Sequence, residues 1–271
     1  MCRHLAYLGP EAPLGRYLVE PAHSLFRQSW APRRQRYGTV NADGFGVGWY
    51  SPDDPVPARY RRAGPIWADL SFADLARVVR SGAVLAAVRD ATLAGADAEA
   101  AAAPFAADRW LFSHNGAIAG WPDSAAPLVP ALPPVELLSL QARTDSAFVW
   151  ALVLHLLRCG EEPERALGET VRRFARAAPA SRLNLLLTDG TTVTATAWGD
   201  TLWYRTEPGR STVVASEPYD DDPLWQEVPD RTVLTASRAG VLLAPLEDPA
   251  TVPAVGPARA EAPPSPKEPC R

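Results

Sequence analysis

Cysteine is scarce in this chain: three residues in 271, at Cys2, Cys159 and Cys270. An odd number at wide spacing excludes a disulfide framework and a zinc knuckle, and it suits a reducing, cytoplasmic setting. Histidine is almost as scarce. His4, His23, His114 and His155 have no ligand-like spacing, so no metal and no other cofactor is expected. There is no run of roughly 18 apolar residues, which excludes a membrane-spanning helix. The opening Met-Cys-Arg-His-Leu-Ala-Tyr lacks the basic stretch and long apolar core of a secretory signal. Charge of one sign is also lacking. The 27 basic and 31 acidic side chains leave a net −4, which argues against nucleic acid or an anionic membrane as partner. The partner class left is a small-molecule substrate. The cluster Arg33-Arg34-Gln35-Arg36 is short and reads as a solvated loop rather than a phosphate site.

What is present is a chain long enough for a sizeable core. Residues 2–248 read as one domain. From about Pro249 to Arg271 the chain is rich in Pro and Ala without periodicity and reads as a disordered tail. Cys2 to Leu8 reads as a short strand, and Asn41 to Tyr50 as a glycine-bearing turn entering another. Ser71-Phe72-Ala73-Asp74 suggests a capping box opening a helix that Gly82 ends. Ala83–Val88 and Trp110–Phe112 are short apolar runs that deliver Arg89 and Ser113-His114-Asn115-Gly116 at their ends. Pro122 to Pro134 reads as a surface loop. Thr144-Asp145-Ser146 caps an apolar helix from Ala147 to Arg158, with Cys159 at its end expected to be buried and inert. A second helix runs from Pro163 to Ala178. Short strands follow, beginning with a hairpin about Asp189-Gly190. Strands, then two helices, then strands make a layered α+β domain rather than a doubly wound sheet.

Candidate chemistry begins at position 2. Aminopeptidases remove Met ahead of a small side chain, and the product would carry a thiol and a free α-amine on one residue. With pKa values of about 8.5 and about 7.7–8.0, the amine can serve as base for the thiol. Thiolate attack on an amide needs donors for the oxyanion, each contributing roughly 3–4 kcal/mol. Asn115-Gly116 offers a side-chain amide and a backbone N–H, or else a plain hairpin turn. Arg89 is a planar cation suited to a carboxylate, or else the ion-pair partner of Asp90. Asp145 is an anion suited to an ammonium group, or else a helix cap.

Taken together, Cys2, Arg89-Asp90-Ala91-Thr92, His114-Asn115-Gly116 and Thr144-Asp145-Ser146 resemble the class II glutamine amidotransferase domain from about Cys2 to Leu246. That resemblance implies an N-terminal nucleophile hydrolase, a four-layer αββα sandwich of two mainly antiparallel sheets. It implies Cys2 as nucleophile with its freed α-amine as base, and Asn115 and Gly116 as the oxyanion hole. Arg89 would hold a glutamyl α-carboxylate, Asp145 the α-ammonium, and Thr92 would line the glutamyl pocket. Many members have His after that Thr; here it is Leu93. Further stretches, Met1 to Leu5, Ala31 to Gln35, Asn41 to Gly48 and Ala215 to Asp222, are similar to a free-standing branch that hydrolyses a γ-glutamyl amide. A glutaminase subunit feeding ammonia to a synthase would use the same residues, and a non-catalytic binding protein the same scaffold.

Overall fold

The computed structural model describes residues 2–91 and 99–246. The tail from 249, with Cys270, lies outside those residues, as does Thr92. The first sheet is built around β1 (Arg3–Pro13), which pairs antiparallel with β4 (Arg80–Val88) on one side and β10 (Ser211–Ala215) on the other. Beyond β4 come β2 (Phe45–Ser51) and β3 (Asp54–Arg62). Beyond β10 come β9 (Trp203–Glu207) and β11 (Gln226–Glu227). The second sheet runs in the order β13 (Gly240–Pro245), β12 (Thr232–Ser237), β8 (Val193–Ala197), β7 (Arg182–Thr188), β6 (Trp110–Ala117), β5 (Phe105–Ala107). The helices α1 (Gly15–Leu18), α2 (Leu25–Gln28) and α3 (Leu70–Val78) cover the outer face of the first sheet. The outer face of the second is covered by α5 (Asp145–Arg158) and α6 (Pro163–Ala177), with α4 (Pro134–Leu138) against α5. The αββα order implied by the resemblance is therefore present.

Side-chain alternation explains the layers. In β1, Leu5 and Tyr7 point out to the helices, while Ala6 and Leu8 point at the opposing sheet, because successive residues of a strand face opposite ways. Both faces are covered, so the strand reads as one apolar run. The layer between the sheets is aliphatic, with Ala6, Leu8, Leu85, Leu111, Leu186 and Val214. The layer under α5 and α6 is aromatic: Phe112 stacks on Trp150 at 5.0 Å between ring centroids, and Phe148 meets Phe174 edge-on at 6.2 Å. Burying such rings adds about 0.5–1.5 kcal/mol per pair beyond their area.

Several expectations change. Asp69, two residues before the expected Ser71, caps α3: its carboxylate accepts from the Ser71 and Phe72 N–H groups. Gly82 lies inside β4 rather than ending a helix. Within the Pro122–Pro134 stretch, residues Asp123–Ala131 form tight 3-10 turns, and α4 starts at Pro134. Cys159 is exposed, since the buried part of α5 ends at Val153 and the last turn faces solvent. The Asp189-Gly190 hairpin forms as read, with Thr188 paired to Val193 and Gly190 at φ +88°.

One buried amide ties the second sheet to the turn after β8. Asn184 Nδ2 donates to the carbonyls of Asp200 (3.1 Å) and Thr201 (3.0 Å), and its Oδ1 accepts from Trp198 N–H (2.9 Å). Asn184→Ala strands three buried backbone groups. It should lower unfolding free energy by about 3 kcal/mol, read as a reduced urea midpoint.

Candidate active site

Cys2 immediately precedes β1, and Arg3 pairs with Val88 at the end of β4. Antiparallel pairing therefore sets Cys2 beside Arg89 and Asp90. The thiol sits deep among protein atoms although the residue keeps partial solvent access. Burial pushes its pKa above the ordinary 9.0; the positive charge of the amino terminus, a hydrogen bond with the Asp90 backbone and the Arg89 cation pull it down, and Asp145 adds to the rise. At neutral pH the thiol thus keeps its proton and needs a base.

Arg89 is held by Asp43. Arg89 N–H donates to Gly44 O (2.7 Å), Asp43 N–H to Arg89 O (2.9 Å), and Arg89 Nη1 to Asp43 O (3.1 Å). The Asp43 carboxylate then accepts from Ala91 N–H at 2.8 Å. The turn Asn41 to Gly44 is a clamp that fixes the chain leaving β4, a job the sequence alone does not assign to Asp43.

Asn115 and Gly116 lie within β6, opposite Asn184 and Leu183, so they form no turn. Asn115 is buried, its Nδ2 donating over 3.4 Å to Ser216 Oγ and its Oδ1 without a hydrogen-bond partner among the described residues. Ser216 binds both sheets: its Oγ accepts from His4 N–H (3.0 Å), its N–H donates to His4 O (2.9 Å), and its carbonyl accepts from Thr201 Oγ1 (2.8 Å). A Cβ at Gly116 would collide with the Arg182 carbonyl, so only glycine fits. His114 points the other way. Its Nε2 donates to that same carbonyl (2.9 Å), which leaves Nδ1 to accept from Ser146 Oγ (3.0 Å) in the neutral ring.

Asp145 opens α5, but the cap is Thr144, whose hydroxyl accepts from Ala147 N–H. The Asp145 carboxylate instead reaches back to β6: Oδ2 accepts from Ile118 N–H (3.0 Å) and Oδ1 from Ser146 N–H (2.8 Å). Two backbone donors fix the carboxylate where it acts on the Cys2 thiol. Cys2, Arg89, Asn115 with Gly116, and Asp145 therefore converge from four separate chain segments. Thr92 lies outside the described residues. No cluster of three or more metal-ligating side chains occurs among the described residues, and no described helix is long and apolar enough to cross a membrane.

The supporting residues are less legible. Arg3 is wholly buried; its Nε donates to Cys2 O (2.8 Å), with Asp200 at 3.7 Å and Glu217 at 3.9 Å from its terminal nitrogens. Glu217 also accepts from the N–H groups of Arg33 (2.9 Å) and Arg34 (2.7 Å), while Arg33 pairs with Asp221 (2.9 Å). The basic cluster is a solvated loop, as expected, with Arg33, Arg34 and Arg36 exposed, and its backbone is tethered to the acidic stretch after β10. The signal was present in the two quoted stretches, Ala31 to Gln35 and Ala215 to Asp222, but their mutual contact was not.

A family model described as class-II glutamine amidotransferases matches residues 19–208. The chain is 41% identical over 246 residues to the gamma-glutamyl-hercynylcysteine sulfoxide hydrolase of Mycolicibacterium smegmatis, covering 91% of this chain and 100% of that protein. Among solved structures it is similar to a glutamine aminotransferase class-II domain protein from Silicibacter pomeroyi, with TM-score 0.66, 26% identity, and 90% and 99% of the two chains covered. The glutamine phosphoribosylpyrophosphate amidotransferase of Bacillus subtilis shares the fold at TM-score 0.61 and 16% identity, over 90% of this chain and 49% of that one.

Removing the Glu217 carboxylate strands two loop N–H groups and withdraws one of two anions from buried Arg3. Glu217→Ala should cost about 3–5 kcal/mol, and limited proteolysis should then cut within residues 31–40. The buried histidines give a pH dependence. Burial, then Arg3 and His114, push His4 down to about 3; burial also lowers His114 against the pull of Asp145. A histidine with a folded pKa below its unfolded value of about 6.5 contributes stability above 6.5 that is lost as pH falls from there toward the folded pKa. Urea midpoints should decline from pH 6.5 to 4, and His4→Asn should make that decline shallower.

Proposed function

The chain belongs to the class-II glutamine amidotransferases, and on that premise we propose that it is an amidohydrolase cleaving the γ-glutamyl amide of γ-glutamyl-hercynylcysteine S-oxide to glutamate and hercynylcysteine S-oxide. The observation that carries this reading is the 41% identity extending over 91% of this chain and the whole of a relative bearing that activity in its name. The stretches Ala31 to Gln35 and Ala215 to Asp222, similar to that enzyme in sequence, support it by meeting each other at Glu217, which also faces buried Arg3.

In the proposed mechanism Met1 is removed and the Cys2 α-amine becomes the base. It takes the thiol proton, which the raised thiol pKa otherwise retains. The sulfur attacks the γ-carbonyl carbon, and the oxyanion forms against Asn115 Nδ2 and Gly116 N–H. Arg89 holds the glutamyl α-carboxylate and Asp145 the α-ammonium, the two charges fixing which amide faces the sulfur. Thr92 lines the glutamyl pocket. The amine returns its proton to the leaving nitrogen, and water then cleaves the thioester.

Turnover of γ-glutamyl-hercynylcysteine S-oxide is the test, measured beside free glutamine. The conjugate should be the better substrate by kcat/KM; preference for glutamine would overturn the assignment in favour of an ammonia-supplying glutaminase. The purified protein should lack Met1 by mass spectrometry. Cys2→Ala should abolish turnover with an unchanged circular dichroism spectrum. Activity should rise from about pH 6 to 8 as an amine of pKa about 7.7–8.0 loses its proton; a flat profile would remove the amine as base.

A further inference from the structure

Beside the oxyanion strand stands a cation that the mechanism does not use. Arg182 opens β7, opposite Ala117. Leu183, Leu185 and Leu187 of β7 pack outward under the helices and Leu186 inward between the sheets. By the two-residue repeat of a strand, Arg182 and Asn184 project to the inward side. In β6, Leu111 points inward as well, so Asn115 shares that side with Arg182. The Arg182 backbone touches Gly116 itself.

The Arg182 guanidinium lies 4.3 Å over the ring of Tyr37, a tyrosine that is 53% exposed. Arg182 Nε is buried with no hydrogen-bond partner, and no carboxylate among the described residues forms an ion pair with the side chain. Tyr37 is fixed from below. Its carbonyl accepts from Gln35 Nε2 (2.9 Å), and the next residue, Gly38 at φ +70°, abuts the Asp90 carboxylate. Asp90 is the residue whose backbone meets the Cys2 thiol. From Gly116 to Arg182, from Arg182 to Tyr37, and from Gly38 through Asp90 to Cys2, the contacts form an arc along one rim of the site.

Arg89 and Asp145 already account for the charges of a glutamyl group, so a further cation on this rim is available to the other half of the substrate. Free glutamine releases ammonia, which has nothing to bind there. A γ-glutamyl conjugate of an amino acid releases an amine whose own carboxylate lies two bonds from the leaving nitrogen. A planar guanidinium with unspent N–H groups, held flat by an aromatic ring, matches a carboxylate bidentately.

We propose that Arg182, stacked on Tyr37, is the subsite for the α-carboxylate of the leaving amino acid, and that it sets the preference for γ-glutamyl amino-acid conjugates over glutamine. The proposal rests on the amidohydrolase reading above. It is tested with the full-length enzyme and two probes, a γ-glutamyl-S-alkylcysteine sulfoxide with its cysteinyl carboxylate free and the same compound with that carboxylate amidated. Wild type should prefer the acid. Arg182→Gln should reduce the acid-over-amide ratio of kcat/KM by about tenfold, mainly through KM, and Arg182→Lys should restore part of it by keeping the charge. A loss in Arg182→Gln that falls equally on both probes, or no change in the ratio, overturns the subsite and leaves the amidohydrolase standing. Wild type that hydrolyses neither probe nor γ-glutamyl-hercynylcysteine S-oxide overturns that reading and the subsite with it.

Discussion

The neighbourhood of Cys2 hangs on the buried charge of Arg3. A guanidinium with no exposed surface cannot shed its proton, so its surroundings must supply anions. Asp200 and Glu217 do so from opposite sides. Each anion brings a segment with it. Asp200 lies in the turn that Asn184 binds through its carbonyl, which anchors the second sheet. Glu217 grips the backbone of residues 33 and 34 and thereby the loop that carries Tyr37 and Gly38. Meanwhile Arg3 Nε holds the Cys2 carbonyl. One ion cluster thus sets the start of β1, a rim loop and the inter-sheet turn in a common frame.

The contrast between the core layers follows the same logic. Between the sheets the chain uses Ala, Val and Leu, and near Cys2 it admits polar side chains: His4 meets Ser113 at 3.2 Å, and Ser216 meets Asn115. These groups reach one another across the gap between the sheets, which keeps most of them hydrogen-bonded. The large aromatic side chains are kept to the helix-covered faces, where their volume is filled by ring-on-ring packing. The polar end of the inner layer is therefore where a site can open without a cavity in the aromatic core.

Much of this was legible along the chain. The apolar run up to Leu8, the cap at Thr144 and the Asp189-Gly190 hairpin are local signals, and local physics carried them through to the structure. Edge strands were less legible: Asp54–Arg62 and Gly240–Pro245 are largely exposed and lack a clean alternation. Asn-Gly at 115–116 misleads when read locally as a turn, because its left-handed option goes unused inside a paired strand. Asp43, Ser216 and Glu217 lie in stretches that carry the resemblance, but neither they nor Arg182 had a local signature of their role. Their partners are 46 or more residues away, or belong to the opposing sheet, and a single sequence does not encode which distant segments meet.

The raised thiol pKa of Cys2 comes first from burial, with the Asp145 carboxylate adding a smaller part. In the proposed mechanism Arg89 and Asp145 hold the two charges of the glutamyl group, and the two act on the thiol in opposite senses. The anion and the surrounding protein mass both disfavour thiolate, while the Asp90 backbone and Arg89 offset only part of that. Lowering the thiol pKa by adding another cation beside the sulfur would compete with Arg89 for the substrate carboxylate. A base on the same residue avoids the conflict: it moves the proton by one short step and adds no permanent charge to the recognition field. Under the proposed mechanism the dependence on a free amine and the selection of substrate are therefore linked, and neutralising Asp145 should weaken binding of the ammonium and ease thiol ionisation together.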